Sequence, residues 1–330
     1  MDKKRNADLS LMRLRSSSAA ISDGYRLYMN NFRRVFRSSW IAALVYALAM
    51  GVFVNIVITR LPMAAVVQAT GQTGNPALQS MLVTTGLFLL GGSILLLAAL
   101  TVLLSYGFSA LGEQLATGSV TAPAKWYGRI DRLALWRTLK AALWLLLVGL
   151  VVDAVMAGVA VVAMKFLGRL AGLMLIGGTL LLFLAALLPL AYTIMKYVLT
   201  PKSAFLAILK DTYAVGLRHW GGLFIVVLVV SIVNMLLDVV TQMPANILYA
   251  ANVNSQMGAL QGDPLGMPAY MGWMNIVVFT AAGFVQAYVQ LSALFPLAYM
   301  YGSIETQENE RSQAKRRLSK YDDEEKNSVY

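Results

Sequence analysis

Residues 141–164 read AALWLLLVGLVVDAVMAGVAVVAM, a stretch in which Asp153 is the single charge, bounded by Lys140 and Lys165. At 1.5 Å rise per residue, about 20 apolar residues match the roughly 30 Å hydrocarbon layer of a bilayer. The segment therefore reads as a transmembrane helix. Five more runs of this kind lie at 40–59, 81–111, 170–198, 220–241 and 273–302. The whole chain agrees with them: 58% of its 330 residues are hydrophobic, 13% are charged, and the mean hydropathy is +0.64. Soluble domains carry about twice that share of charge. The predicted fold class is all-α: a polytopic membrane helix bundle with six transmembrane helices.

The placement of basic residues predicts orientation. The connections that include the N-terminal segment, 113–140, 196–218 and the C-terminal tail hold 24 of the 27 Lys and Arg residues, and the opposite connections hold only Arg60, Lys165 and Arg169. By the positive-inside rule, both termini are cytoplasmic. Lys3, Lys4 and Arg5 resemble the start of a signal peptide, but no apolar run follows until Trp40, so the N-terminal segment is read as retained. The net charge of +11 flanks the apolar runs and forms no continuous stripe. That pattern selects anionic membrane lipid as partner, with no nucleic acid.

The spans also repeat. Pro189-Leu190-Ala191-Tyr192 returns as Pro296-Leu297-Ala298-Tyr299, with Ser105-Tyr106 in the equivalent place of the second span. Gly91-Gly92 and Gly177-Gly178 precede Tyr106 and Tyr192 at the same offsets, and Gly283 is out of step by one. The reading is three hairpins, about 22–118, 119–199 and 200–303, between an N-terminal tail (1–21) and a charged tail (304–330) that is disordered or helical to about Lys320. The glycine pairs fit close helix packing or unwinding around a substrate. Pro189 and Pro296 fit kinked return helices.

Each hairpin is led by an amphipathic segment that the spacing predicts to be an interfacial helix. Tyr25, Tyr28, Phe32, Val35, Phe36 and Trp40 form the first stripe, beside Arg26, Arg33, Arg34 and Arg37. Trp126, Ile130, Leu133 and Trp136 form the second, with Lys125, Arg129 and Arg132. Leu206, Leu209, Tyr213, Leu217 and Trp220 form the third, with Lys202, Lys210 and Arg218, after a Thr200-Pro201 helix start. Lipid headgroup contacts are expected at Arg33, Arg34, Arg37, Lys125, Arg129, Arg132, Lys202, Lys210 and Arg218. This basic collar serves either as a topological anchor or as a docking face for a protein partner on the cytoplasmic side.

Within the spans, Asp153, Asn55, Asn234 and Asp238 make a candidate intramembrane polar site, because an unpaired carboxylate at mid-depth costs at least about 2.5–3.5 kcal/mol and seeks protein or water. Two readings stand: convergence of these groups on a central axis, as a proton or cation site, or interhelical hydrogen bonds that specify packing. The outer loops at 60–80 and 242–272 are nearly uncharged, and the second, with turns at Gly262-Asp263-Pro264 and Gly266-Met267-Pro268, is expected to fold onto the bundle as a cap or lid.

Several chemistries drop out. The chain has no cysteine and one histidine, His219, which excludes disulfides, thiolate metal sites, a Cys nucleophile and a His-rich metal cluster. His219 at the membrane boundary reads as a polar tip rather than a general base. No GxSxG, HExxH, GxxxxGKS, GxxxxGKT or GxGxxG motif is present, so no enzymatic activity, metal or cofactor is expected.

The aromatic-basic entry Asn31-Phe32-Arg33-Arg34-Val35-Phe36 through Trp40, with the partial echo Arg218-His219-Trp220, resembles YciC-like bacterial inner-membrane proteins and the membrane domain of some glycerophosphodiester phosphodiesterases. The resemblance covers the six-span region and implies the architecture without an activity. The expected role is a non-enzymatic scaffold or lipid-interacting envelope component. A small-solute or ion transporter centred on Asp153 is the alternative, and a membrane-embedded lipid enzyme is a third reading. The ligand, the partners and the oligomeric state are left open.

Overall fold

The computed structural model describes residues 10–69, 76–117, 132–166, 168–200, 204–260, 268 and 270–328. Every regular element among them is an α-helix: α1 (Ser17–Ala69), α2 (Pro76–Thr117), α3 (Arg132–Phe166), α4 (Gly168–Leu199), α5 (Phe205–Arg218), α6 (Trp220–Thr241), α7 (Met243–Leu260) and α8 (Met271–Ser328). Six of these, α1–α4, α6 and α8, are long and apolar enough to cross a membrane. The protein is a multi-pass membrane protein.

The spine is the antiparallel pair α1 and α8. Small residues let the two backbones approach: a Cβ on Gly24 would lie 2.5 Å from the Cα of Pro296, and one on Gly283 would lie 3.3 Å from the Cα of Ala47. With 53 residues, α1 is about 80 Å long, more than twice the hydrocarbon thickness. Its first turns are therefore continuous with the span in one unbroken helix. The first aromatic stripe divides: Tyr28 and Val35 are buried, whereas Phe32, Phe36 and Trp40 stay exposed. Tyr28 packs at a tilt on Phe295 and donates to the Tyr288 carbonyl at 2.9 Å, while Phe32 and Phe36 meet Tyr288. Arg33, Arg34 and Arg37 stay exposed on the other side. The stripe was legible as apolar, but periodicity does not say whether lipid or another helix covers it.

Near the chain ends, Tyr192, Leu103, Leu111, Leu223, Leu291, Phe295, Tyr299 and Ile304 are fully buried in one core built from all the spans but chiefly from α8 and α1. Leu11 lies under Gly302, so the N-terminal strap and the C-terminal half of α8 share this terminal end. A smaller core of Ile58, Ala245, Leu248, Phe279 and Ala282 closes the opposite, loop end. Part of the predicted 242–272 loop is thus the helix α7, seated on α1 and α8. Residues 261–267, with the Gly262 and Gly266 turns, lie outside the described residues.

The α3–α4 hairpin is peripheral. None of the most apolar 18-residue window of α3 is buried, against 44% of that of α8. Gly168, at φ 72°, turns the chain between the two helices. Of the glycine pairs, Gly91, Gly177 and Gly178 meet open space and only Gly92 abuts a neighbour, the Phe53 ring. The close approaches run instead through single glycines, Gly24 against Pro296 and Gly216 against Pro189. From Glu305 onward, where the sequence reads as disordered or partly helical, α8 continues to Ser328.

Candidate functional site

Asp153 lies midway along α3, 12 residues from Lys165 and 13 from Lys140, or about 18–20 Å from either. Its side chain is exposed, between exposed Leu150, Val151 and Val155, with no hydrogen-bond or ion-pair partner among the described residues. Asp153 therefore does not converge with the other three polar groups on one axis. Helix α3 packs on α2 and α4, whereas Asn55, Asn234 and Asp238 are carried by α1 and α6. Equal depth in neighbouring helices does not fix the direction in which a side chain points, which changes by about 100° per residue.

The other three residues sit in two polar clusters at the loop end. In the first, Asn275 donates to the Asn55 side-chain oxygen at 3.3 Å and exchanges hydrogen bonds of 2.8 and 3.0 Å with Asn252, which also donates to the Leu248 carbonyl. Asn252 and Asn275 are almost completely buried. This network ties α7 to α8 and α1, as the packing reading of Asn55 expects. Asn275 was visible as a polar residue at the start of an apolar run, but Asn252 lay in what read as a loop.

The second cluster is an open groove of about 510 Å³ on α6 and the start of α7. Ser231, Asn234, Asp238, Gln242 and Asn246 line it, together with Met235 and Val239. Gln242 donates through Nε2 to the Gln286 side-chain oxygen at 2.9 Å, leaving its own oxygen as an acceptor. One oxygen each of Asn234 and Asp238 is buried without a hydrogen-bond partner. No described basic residue forms an ion pair with Asp238. Buried polar oxygens of this kind are costly unless something satisfies them.

The terminal end carries an ion-pair hub that the sequence did not reveal, because its acids lie in a tail read as disordered. Glu305 on α8 accepts from Lys196 Nζ at 3.0 Å and from the Tyr192 hydroxyl at 2.7 Å. One turn later Glu308 accepts from Arg218 at 2.8 Å and pairs with His219 Nε2 at 3.0 Å. Burial pushes the Glu308 carboxyl up, but the hydrogen bonds from His219 and Arg218 outweigh it and hold the group below its usual range. His219 is thus a structural partner of the α8 extension. On the other flank, Arg15 pairs with Asp23 at 2.8 Å and covers the Tyr299 ring.

The expected headgroup residues divide. Arg33, Arg34, Arg37, Arg132 and Lys210 are exposed; Arg218 is committed to Glu308; Lys125, Arg129 and Lys202 lie outside the described residues, as do Trp126, Ile130 and Pro201. Leu133 and Trp136 of the second stripe are exposed, but the neighbouring Arg137 turns inward and donates to the Tyr197 and Thr200 carbonyls at the end of α4. It acts as a C-cap from another helix. In the third stripe, the Tyr213 hydroxyl donates to the Ala186 carbonyl and Trp220 Nε1 to the Ala185 carbonyl, each at 2.9 Å. Among the described residues no group of three or more His, Asp or Glu is placed to hold a metal ion. No family model, curated protein or solved structure matches the chain.

Proposed function

We propose that this protein is a non-enzymatic scaffold of a bacterial inner membrane, with cytoplasmic termini, that self-associates through helix α3. Asp153 is the observation that carries the reading. A lipid-facing apolar helix needs no partner, since lipid covers it as well as protein does. A carboxyl at mid-depth does, and Asp153 is turned away from its own bundle. Gly149, Asp153 and Ala157 follow at intervals of four and share one face, and Gly149 and Gly158 meet only open space. A second copy brings an identical strip, so that two α3 helices approach closely and two Asp153 carboxyls share a proton on the twofold axis. The exposed arginines at the terminal end fit anionic headgroups, and the inner-membrane placement rests on the charge split and on the resemblance to YciC-like proteins.

The test is the mass of the protein reconstituted in lipid nanodiscs, read by light scattering or by stepwise photobleaching. The expected result is a dimer for the wild type and for Asp153→Asn, and a monomer for Gly149→Leu and Asp153→Leu with helix content unchanged. A monomeric wild type sinks the proposal.

A further inference from the structure

We infer that the groove on α6 and α7 is a binding site for a small organic cation, an alkyl chain ending in a primary ammonium group. Its residues are not those of the α3 strip, so the inference stands apart from self-association.

Asp238 lines the groove without a basic partner among the described residues. An ionised carboxylate in such a place needs a counter-charge, and the open groove admits one.

The Asp238 carboxylate and the Ser231 hydroxyl supply acceptors for an ammonium group with three donors, beside the amides of Asn234 and Asn246, and Gln242 is held in place by its hydrogen bond to Gln286. A divalent metal fits less well: among the described residues no second carboxylate or imidazole joins Asp238 in a group of three such ligands.

About 510 Å³ falls in the range of small-molecule sites and is far more than a bare ion fills. Met235 and Val239, both exposed apolar residues beside the carboxylate, supply a wall for a hydrocarbon stem. The 18 residues from Trp220 to Asp238 place the site about 27 Å along α6, at the loop end. In the orientation proposed above, that end faces away from the cytoplasm.

The experiment uses the full-length protein in nanodiscs and n-butylammonium as the probe, with n-butanol and butyrate as uncharged and anionic controls, read by isothermal titration calorimetry. The wild type is expected to bind butylammonium saturably and neither control. Asp238→Asn is expected to weaken binding at least about tenfold, the loss of one charge-assisted hydrogen bond. Val239→Trp fills the groove from an exposed position with the carboxylate intact, and should abolish binding without changing thermal unfolding; it carries the test if Asp238→Asn fails to fold. The inference is overturned if the wild type shows no saturable binding, if butanol binds as well as butylammonium, or if a folded variant of either kind binds as the wild type does.

Discussion

Pro189 has no N–H, so the carbonyl four residues earlier, that of Ala185, loses its helical donor. The structure supplies a replacement from the next hairpin: Trp220 Nε1 donates to it at 2.9 Å, and the Tyr213 hydroxyl serves Ala186 beside it. Trp220→Phe keeps the ring contact with Phe224 but leaves the carbonyl unpaired, at an expected cost of about 1–3 kcal/mol. Thermal unfolding in detergent checks it. Read from sequence alone, Trp220 belonged to a lipid-facing stripe, because an aromatic ring with one polar atom suits an interface and an interhelical bond equally well. Glu308 gives a second test at this scale. Its carboxyl is held below its ordinary value in the folded state, so its pairing contributes in full above the ordinary carboxylate range and is lost as pH falls through the depressed value. Protection factors of the amides across residues 305–312, which correct for the intrinsic slowing of exchange in acid, should stay high near neutral pH and fall as pH drops below the ordinary carboxylate range. Glu308→Gln should show fast exchange even at neutral pH, with a loss of about 1 kcal/mol, modest because Arg218 is 46% exposed. An exchange profile in the variant identical to that of the wild type would refute this.

Helices supply the next scale, and α1 and α8 show what an element adds. The six apolar runs read from the sequence all fall inside α1–α4, α6 and α8, because length and hydrophobicity alone decide that a segment can span. What they do not decide is which face of a helix meets protein. That is why Asp153 was grouped with Asn234 and Asp238 by depth but stands on a different flank, and why the stripe from Tyr28 to Phe36 meets α8 on one side while Phe32 and Phe36 keep an exposed side. Polar groups inside apolar runs were readable as unusual; their partners, such as Asn252 for Asn275, come from segments with no membrane signal at all. The α1–α8 spine depends on Gly24, where any side chain meets the backbone of Phe295 and Pro296. Gly24→Leu should therefore separate the helices at that level and cost about 1–3 kcal/mol or more, since backbone yields less readily than a side chain. Lower thermal stability, together with faster proteolysis after Arg15, would confirm it. Gly24→Ala with unchanged stability would show that the approach is looser than described.

The molecule as a whole has two unlike ends, and their difference bears on orientation. The strap at residues 10–16, the start of α1, the hub of Glu305 and Glu308 and the extension of α8 meet at one end; α7, the asparagine network and the Asp238 groove meet at the other. Gly24 abuts Pro296 and Gly216 abuts Pro189, so the start of α1 packs on α8 and α5 packs on α4. The α3–α4 hairpin stays at the periphery, where its outer face is open to an assembly that grows sideways. Because the chain contains no cysteine, single substitutions can report orientation without background. Tyr270 is exposed at the loop end and Ser312 is exposed beyond the hub at the terminal end. With the terminal end in the cytoplasm, a membrane-impermeant maleimide added to intact spheroplasts should label Tyr270→Cys and leave Ser312→Cys unmodified until the membrane is permeabilised. The reverse pattern would place the hub and its arginines outside the cell, and the groove with Asp238 would then open toward the cytoplasm.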